Sequence, residues 1–237
     1  MFPFLERTAL LLGAERVERL AASHVLVVGT GGVGSWAAEM LVRGGVGRLT
    51  IVDADNVAQS NINRQLPALH STIGLSKTEV MARRLRDINP DLQLTALGRY
   101  VEAEAAAELL DRLAPDFTID AIDTVRPKVA LLAAALRTGR RTISSMGAGA
   151  KTDITQVRRA DLWDTTQCGL ARAVRDGLRR EGLRGRRLPV VFSPEPPLRS
   201  AIIETHGERE KRRTAGTVSY MPAAFGLHLA AYVLEHL

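Results

Sequence analysis

The residues Gly29-Thr30-Gly31-Gly32-Val33-Gly34 follow directly on the apolar run His24-Val25-Leu26-Val27-Val28. A buried strand that ends in glycine and opens a helix gathers free backbone amides and the positive end of a helix dipole at one point, which is a binding site for phosphate. Gly29 permits the tight exit from the strand. Gly31 and Gly32 let a ligand approach the backbone with no Cβ in the way, and Gly34 lets the helix pack close to the sheet. Asp53 lies 19 residues past Gly34, directly after a second apolar run, where a carboxylate accepts hydrogen bonds from ribose hydroxyls. Asp55 joins it as a candidate at the nucleotide, with service to the local turn or solvent as its plainer role.

NAD and ATP both satisfy such a loop, and the segment after Asp53 separates them. Asn61-Ile62-Asn63-Arg64-Gln65 is a polar, cationic cluster, Lys77 comes twelve residues after Gln65, and Asp123 follows a later apolar run. Two cations and a carboxylate beside bound phosphates suit a triphosphate. Its charge must be offset before an anionic carboxylate can approach the α-phosphorus. Asp123 is the carboxylate that can hold a Mg2+ bridging phosphate oxygens. Singly, Arg64 could be a surface arginine, Lys77 a helix-end lysine and Asp123 a helix cap; together they outweigh those readings.

The elements that must position these groups alternate. Apolar runs predict strands at 24–29, 48–52, 93–98, 117–122 and 141–145. Helical patterns predict helices at 15–22, 35–43, 77–88, 102–113 and 127–138. Strand–helix alternation means an α/β fold: a Rossmann-type, doubly wound, mainly parallel sheet through about residue 150, with an appended C-terminal α/β region. Residues 1–150 form the N-terminal helices and the nucleotide-binding domain. Residues 151–237 form a C-terminal, substrate-facing region packed with it as one globular unit. In that region 161–180 contains helical stretches, 190–192 is a strand, 204–213 is a charge run expected to be a mobile loop, and 221–237 is an apolar helix.

Of the 237 residues, 46% are apolar and 24% charged, an ordinary soluble composition. No apolar run reaches the ~20 residues of a membrane span and no cleavable leader pattern opens the chain, so the expected location is cytoplasmic. One cysteine, Cys168, excludes an internal disulfide and a Cys-x-x-Cys zinc pair; it is an incidental thiol or, with a suitable base, a nucleophile. The net charge of +6 suits an acidic partner such as RNA. It is densest at 172–187, where seven arginines face only Asp176 and Glu181. Only four basic residues are lysines, so the arginine bias can equally reflect genome composition, and the segment can equally be a solvated helix face.

The pattern Gly29-x-Gly31-Gly32-Val33-Gly34-Ser35, Asp53-x-Asp55, Asn61-x-Asn63-Arg64-Gln65, Gly74-x-x-Lys77 and Asp120-x-x-Asp123 with Lys128 resembles the ubiquitin-activating-type adenylating enzymes, which include the ThiF-like and MoeB-like enzymes. The resemblance implies that Asp53 binds ribose, that Arg64 and Lys77 bind phosphates with Asn61 and Gln65 beside them, and that Asp123 serves the metal and the reacting phosphate. Arg7, in the context Arg-x-x-Leu-Leu-Leu-Gly, matches an arginine that in relatives reaches across a homodimer interface into the neighbour's ATP site.

Further stretches resemble one branch, the tRNA threonylcarbamoyladenosine dehydratases: Ser35-Trp36-Ala37-Ala38-Glu39, Thr124-Val125-Arg126-Pro127-Lys128, Ile143-Ser144-Ser145-Met146-Gly147, Lys151-Thr152-Asp153 and Val191-Phe192-Ser193-Pro194-Glu195. That branch implies ATP and Mg2+, with room for a structural monovalent cation, and a tRNA carrying threonylcarbamoyladenosine as substrate. The alternative is adenylation of the C-terminal Gly-Gly of a small sulfur-carrier protein, with a carrier or sulfur-delivery protein as partner. The lack of zinc pairs and of a sulfur-relay cysteine favours the tRNA branch.

Overall fold

The computed structural model describes residues 3–204 and 213–237. Two helices, α1 (Glu6–Leu12) and α2 (Ala14–Ala22), precede β1 (His24–Val28), α3 (Gly34–Arg43), β2 (Arg48–Val52), α4 (Lys77–Ile88) and β3 (Gln93–Leu97). Then come α5 (Ala106–Leu113), β4 (Phe117–Asp120), α6 (Val125–Thr138) and β5 (Thr142–Ser145). The chain continues through β6 (Arg158–Asp161), α7 (Gly169–Arg180), β7 (Pro189–Phe192), β8 (Ile202–Glu204), β9 (Arg213–Ala215) and α8 (Tyr220–His236).

Seven strands form one sheet in the order β3-β2-β1-β4-β5-β7-β6, and β8 with β9 forms a separate ribbon. Neighbours in the large sheet run parallel except β6, which is antiparallel to β7. All five residues of β1 are buried, as a parallel strand covered on both faces requires. Strand order reverses between β1 and β4, so the crevice for a ligand opens at the carboxyl ends of these two strands.

One face is covered by α3 and α8. Ala37, Leu41 and Val42 of α3 and Phe225, Leu229 and Val233 of α8 share a core with Val25, Val27 and Ile51. The two helices approach closely because residue 226 is glycine: a Cβ there would lie 2.5 Å from the Val33 carbonyl oxygen. On the other face Leu109, Leu110, Leu131 and Ala135 of α5 and α6 pack on Leu26 and Val28. Farther along that face, Ala171, Val174 and Leu178 of α7 meet Leu132 of α6 and Val190 and Phe192 of β7. Each large apolar side chain so buried contributes about 1.5–3 kcal/mol. Among the described residues no helix is long and apolar enough to cross a membrane.

Two expectations change, one strand was not expected, and one expected loop lies mostly outside the described residues. The strand expected over 117–122 stops at Asp120, whose carboxylate turns inward and holds the next residues in a loop. The helix expected from residue 102 begins as a 3-10 turn and becomes α-helical at Ala106. Arg158–Asp161 forms β6 although its sequence, Arg-Arg-Ala-Asp, has no apolar alternation; it pairs as the outermost strand, exposed on its free side. Most of the charge run at 204–213 lies outside the described residues. The part after residue 150 is continuous with the rest, since β7 pairs with β5 and α8 returns onto α3.

Asp120 and Lys128 are both fully buried, with Nζ 2.7 Å from Oδ2. The same carboxylate accepts the Ser144 hydroxyl at 2.6 Å and the Ile122 amide at 3.1 Å, and Lys128 also donates to the Ile122 carbonyl at 2.9 Å. Removing one partner strands a buried charge. Asp120→Ala should therefore cost about 3–5 kcal/mol in denaturant unfolding, and a loss below 1 kcal/mol, the range of an exposed pair, would contradict this account.

Candidate active site

The glycine turn sits where β1 leaves the sheet. Gly29 has φ +91°, and a Cβ there would lie 2.7 Å from the Ala121 carbonyl oxygen, so only glycine fits between β1 and the loop after β4. At Gly34 a Cβ would fall 1.8 Å from the Gly29 carbonyl oxygen, because the first turn of α3 folds back on the strand exit. Gly31 faces the Gln65 amide and Gly32 faces Arg64 and Pro222, at ordinary to tight contact distance. The amide oxygen of Gln65 is buried with no hydrogen-bond partner among the described residues.

Asp53 is tied to this turn. Its Oδ2 accepts the Thr30 amide at 2.6 Å and the Thr30 hydroxyl at 3.1 Å, and its Oδ1 accepts the Asp55 amide at 2.9 Å. A carboxylate has about four acceptor positions, so capacity remains for a ribose hydroxyl. Thr30 was not anticipated from sequence; its place between two glycines opposite an acid was the available signal.

Lys77 opens α4 and is buried, and its ammonium lies 2.7 Å from Oδ2 of the exposed Asp55. The Asp55 side chain thus belongs to the lysine, not simply to the turn or to solvent. The segment is pinned by the Lys77 amide donating to the Asp55 carbonyl at 3.0 Å and by an isolated bridge between Asn56 and Ser76. Asn61 uses its Oδ1 to accept the Ala58 amide at 3.2 Å, and its carbonyl receives the Arg64 and Gln65 amides. The Arg64 guanidinium donates to the Ser60 carbonyl at 2.8 Å and to Asn63 Oδ1 at 2.9 Å, while Asn63 donates to the Thr217 carbonyl at 3.0 Å.

Asp123 is exposed on the loop after β4, two residues beyond the Ala121 carbonyl that abuts Gly29. The carboxyl rim therefore collects Gly29, Gly31, Gly32, Gly34, Asp53, Asp55, Asn61, Arg64, Gln65, Lys77 and Asp123. Arg7 does not join them within one chain. It is exposed on α1, and the preceding Leu5 packs at Gly45 ahead of β2, at the opposite edge of the sheet.

The C-terminal region supplies a wall that local sequence did not reveal. Pro222 of α8 closes on Gly32, a contact with no local signal. Lys151 is buried and donates to the carbonyls of Gln167 at 3.1 Å and Ser193 at 2.7 Å and to that of Glu195. Burial pushes its ammonium below the usual lysine range, with Cys168 and Glu195 opposing. Cys168 caps α7, its sulfur accepting the amides of Gly147 at 3.4 Å and Ala171 at 3.5 Å.

A model of the ThiF family matches residues 5–237. The tRNA threonylcarbamoyladenosine dehydratase of Bacillus subtilis (strain 168) is 38% identical over 98% of this chain and 93% of its own length. The Haemophilus influenzae protein of the same name is 37% identical over 94% of this chain and 88% of its own. The crystal structure of Escherichia coli tRNA N6-threonylcarbamoyladenosine dehydratase in complex with ATP is similar with a TM-score of 0.88 at 36% identity, covering 97% of this chain and 91% of that one.

The two glycines at 31 and 34 should separate binding from folding. Gly34→Ala forces a carbon into the Gly29 carbonyl and should destabilise the protein by about 1–3 kcal/mol. Gly31→Ala meets only ordinary contacts and should keep stability within roughly 0.5 kcal/mol. With ATP as the probe, it should still weaken nucleotide affinity by about tenfold, worth ~1.4 kcal/mol. Thermal melts and titration calorimetry check both, and unchanged affinity in Gly31→Ala would remove the loop from the binding site.

Proposed function

The chain belongs to the ThiF family, and on that footing we propose that it is an ATP-dependent adenylating enzyme that cyclises threonylcarbamoyladenosine in tRNA. The carboxylate of the threonylcarbamoyl group attacks the α-phosphorus of ATP, pyrophosphate leaves, and an acyl-adenylate forms. The neighbouring carbamoyl group then attacks the acyl carbon; the new bond replaces the bond to AMP, which departs, so that the substrate has lost one water overall. The nucleophile of the second step is built into the substrate, and ring closure gains the high effective concentration of an intramolecular reaction.

The observation that carries the reading is the gathering of cations and carboxylates near the glycine turn: Arg64, whose aliphatic stem lies against Gly32, and the Lys77–Asp55 pair on the neighbouring helix start. Similarity running the length of the chain, past the nucleotide motifs, supports the tRNA substrate. The amides of Gly31 and Gly32 take the phosphates, with the side chains of Asn61 and Gln65 beside them, and Asp53 takes the ribose. The Lys77 ammonium has three donors, of which Asp55 uses one, so it holds a phosphate oxygen without giving up its partner. Arg64 trades its Ser60 and Asn63 acceptors for phosphate oxygens as negative charge builds on the leaving group. Mg2+, when bound with ATP, would offset the charge of the departing pyrophosphate, and Asp123 would be the carboxylate to hold it.

A homodimer completes the site. Leu10 and Leu11 of α1 are 82% and 83% exposed, on the helix that carries Arg7. Burying that helix against a second copy brings Arg7 to the partner's nucleotide, where its charge adds to that of Arg64 and Lys77.

ATP conversion to AMP and pyrophosphate should be stimulated by threonylcarbamoylated tRNA and not by unmodified tRNA. Lys77→Ala and Asp123→Ala should each lower turnover by ~10²–10³ with the fold intact. Stimulation by a Gly-Gly-tailed carrier protein, with none by the modified tRNA, would overturn the substrate assignment. Arg7→Ala should be inactive alone and regain part of its activity when mixed with Lys77→Ala, since a mixed dimer holds one intact site. Full activity in a monomer would overturn the shared site.

A further inference from the structure

Helix α7 begins at the rim that holds the nucleotide site and leads away from it. Its cap, Cys168, receives the amide of Gly147, two residues past the carboxyl end of β5. Its far end precedes the loop that enters β7 at Pro189, on the opposite edge of the sheet. Its 12 residues span about 18 Å at 1.5 Å per residue.

An ordinary solvated helix face interleaves both signs of charge. This one does not. Of the seven arginines at 172–187, Arg175 points inward and donates to the carbonyls of Leu162 and Thr165. Arg179 pairs with Asp176 at 2.7 Å, and Glu181 is taken by Arg137 at 2.7 Å. Both acids of the segment are therefore occupied. Among the described residues no carboxylate pairs with Arg172, Arg180, Arg184 or Arg186, and all four are exposed.

The row is also held in place. Gly182 at φ +72° and Gly185 at φ +75° turn the chain so that Leu183 goes into the core and its neighbours go out. The Leu183 amide donates to the Leu178 carbonyl at 2.9 Å, and the Trp163 indole donates to the Arg186 carbonyl at 2.8 Å. The backbone that carries the row is thus held, and guanidinium groups with no carboxylate partner meet phosphate without an ion pair to break.

We propose that this arginine face, running from the active-site rim along α7 into the loop at 182–187, docks the sugar–phosphate backbone of the substrate RNA. The inference rests on the preceding functional reading, under which a nucleoside within a folded RNA must put its side group into the rim while the rest of the polynucleotide lies across the protein. A row of unpaired cations leading from that rim supplies sequence-independent phosphate contacts.

The test replaces Arg172, Arg180, Arg184 and Arg186 together by glutamine, and in a second protein by lysine. Affinity for threonylcarbamoylated tRNA is measured across a salt series, alongside ATP affinity, melting temperature and turnover at saturating tRNA. The glutamine variant should lose at least about tenfold in tRNA affinity, and the dependence of log affinity on log salt should flatten by about two to four. ATP affinity, melting temperature and saturated turnover should not move. The lysine variant should keep most of the affinity, because lysine still meets phosphate as a point charge. If wild type consumes ATP with the modified tRNA while the glutamine variant binds it with unchanged affinity and salt slope, the docking face is overturned and the adenylation reading stands. If wild type neither binds nor turns over that tRNA, both fall.

Discussion

A fully buried ion pair, Asp120 with Lys128, is the constraint from which the rest of the site follows. Taking two charges out of water is costly, and mutual attraction offsets that cost only when the remaining donors and acceptors are satisfied. Here they are engaged by Ser144 on β5 and by both backbone groups of Ile122. The pair ends β4, ties it to β5 and to the first turn of α6, and freezes the loop between. That loop brings Ala121 against Gly29 and places Asp123 at the rim. Both side chains are fully buried, yet the position of the proposed metal-binding acid depends on them.

The glycine turn supplies the complementary constraint. With no room for a Cβ at Gly29 or Gly34, β1, the loop after β4 and the start of α3 are locked together before any nucleotide arrives. The cations around it are also occupied in advance: Lys77 by Asp55, and Arg64 by Ser60 and Asn63. In the proposed reaction Lys77 keeps Asp55 as it takes a phosphate oxygen and so needs little rearrangement, whereas Arg64 must exchange its two acceptors. Asn63 extends the arrangement, since it holds Arg64 with its oxygen and the Thr217 carbonyl with its nitrogen. With Pro222 resting on Gly32, the C-terminal region becomes a wall of the nucleotide site and not an appendage to it.

What the sequence made legible follows from how local each signal is. β1, β2 and α4 were readable because a buried parallel strand is a continuous apolar run and an amphipathic helix repeats at 3.6 residues. Their bounds agree to within a residue. The end of β4 was misjudged because Ala121 and Ile122 are apolar, while the inward turn of Asp120 depends on Lys128 eight residues later. β6 was invisible because Arg-Arg-Ala-Asp becomes a strand only by pairing with β7, some thirty residues on. In the site, the glycine spacing and the acid at the end of β2 were plain. The Asp55–Lys77 pair was not, because nothing in a sequence says which of two neighbouring carboxylates faces a lysine 22 residues away.

The single cysteine bears on mechanism in the same way. An acyl-adenylate can be resolved by an enzyme thiol, which needs a free, reactive sulfur. Cys168 instead spends its sulfur as an acceptor for the amides of Gly147 and Ala171, the work of a helix cap. Beside it Lys151 turns its ammonium to three backbone carbonyls, fastening the segments at 167 and 193–195 to the rim. Both groups thereby hold the wall together. A reaction whose second nucleophile arrives within the substrate asks only that the wall be held still, so the architecture and the proposed chemistry require the same thing of this region.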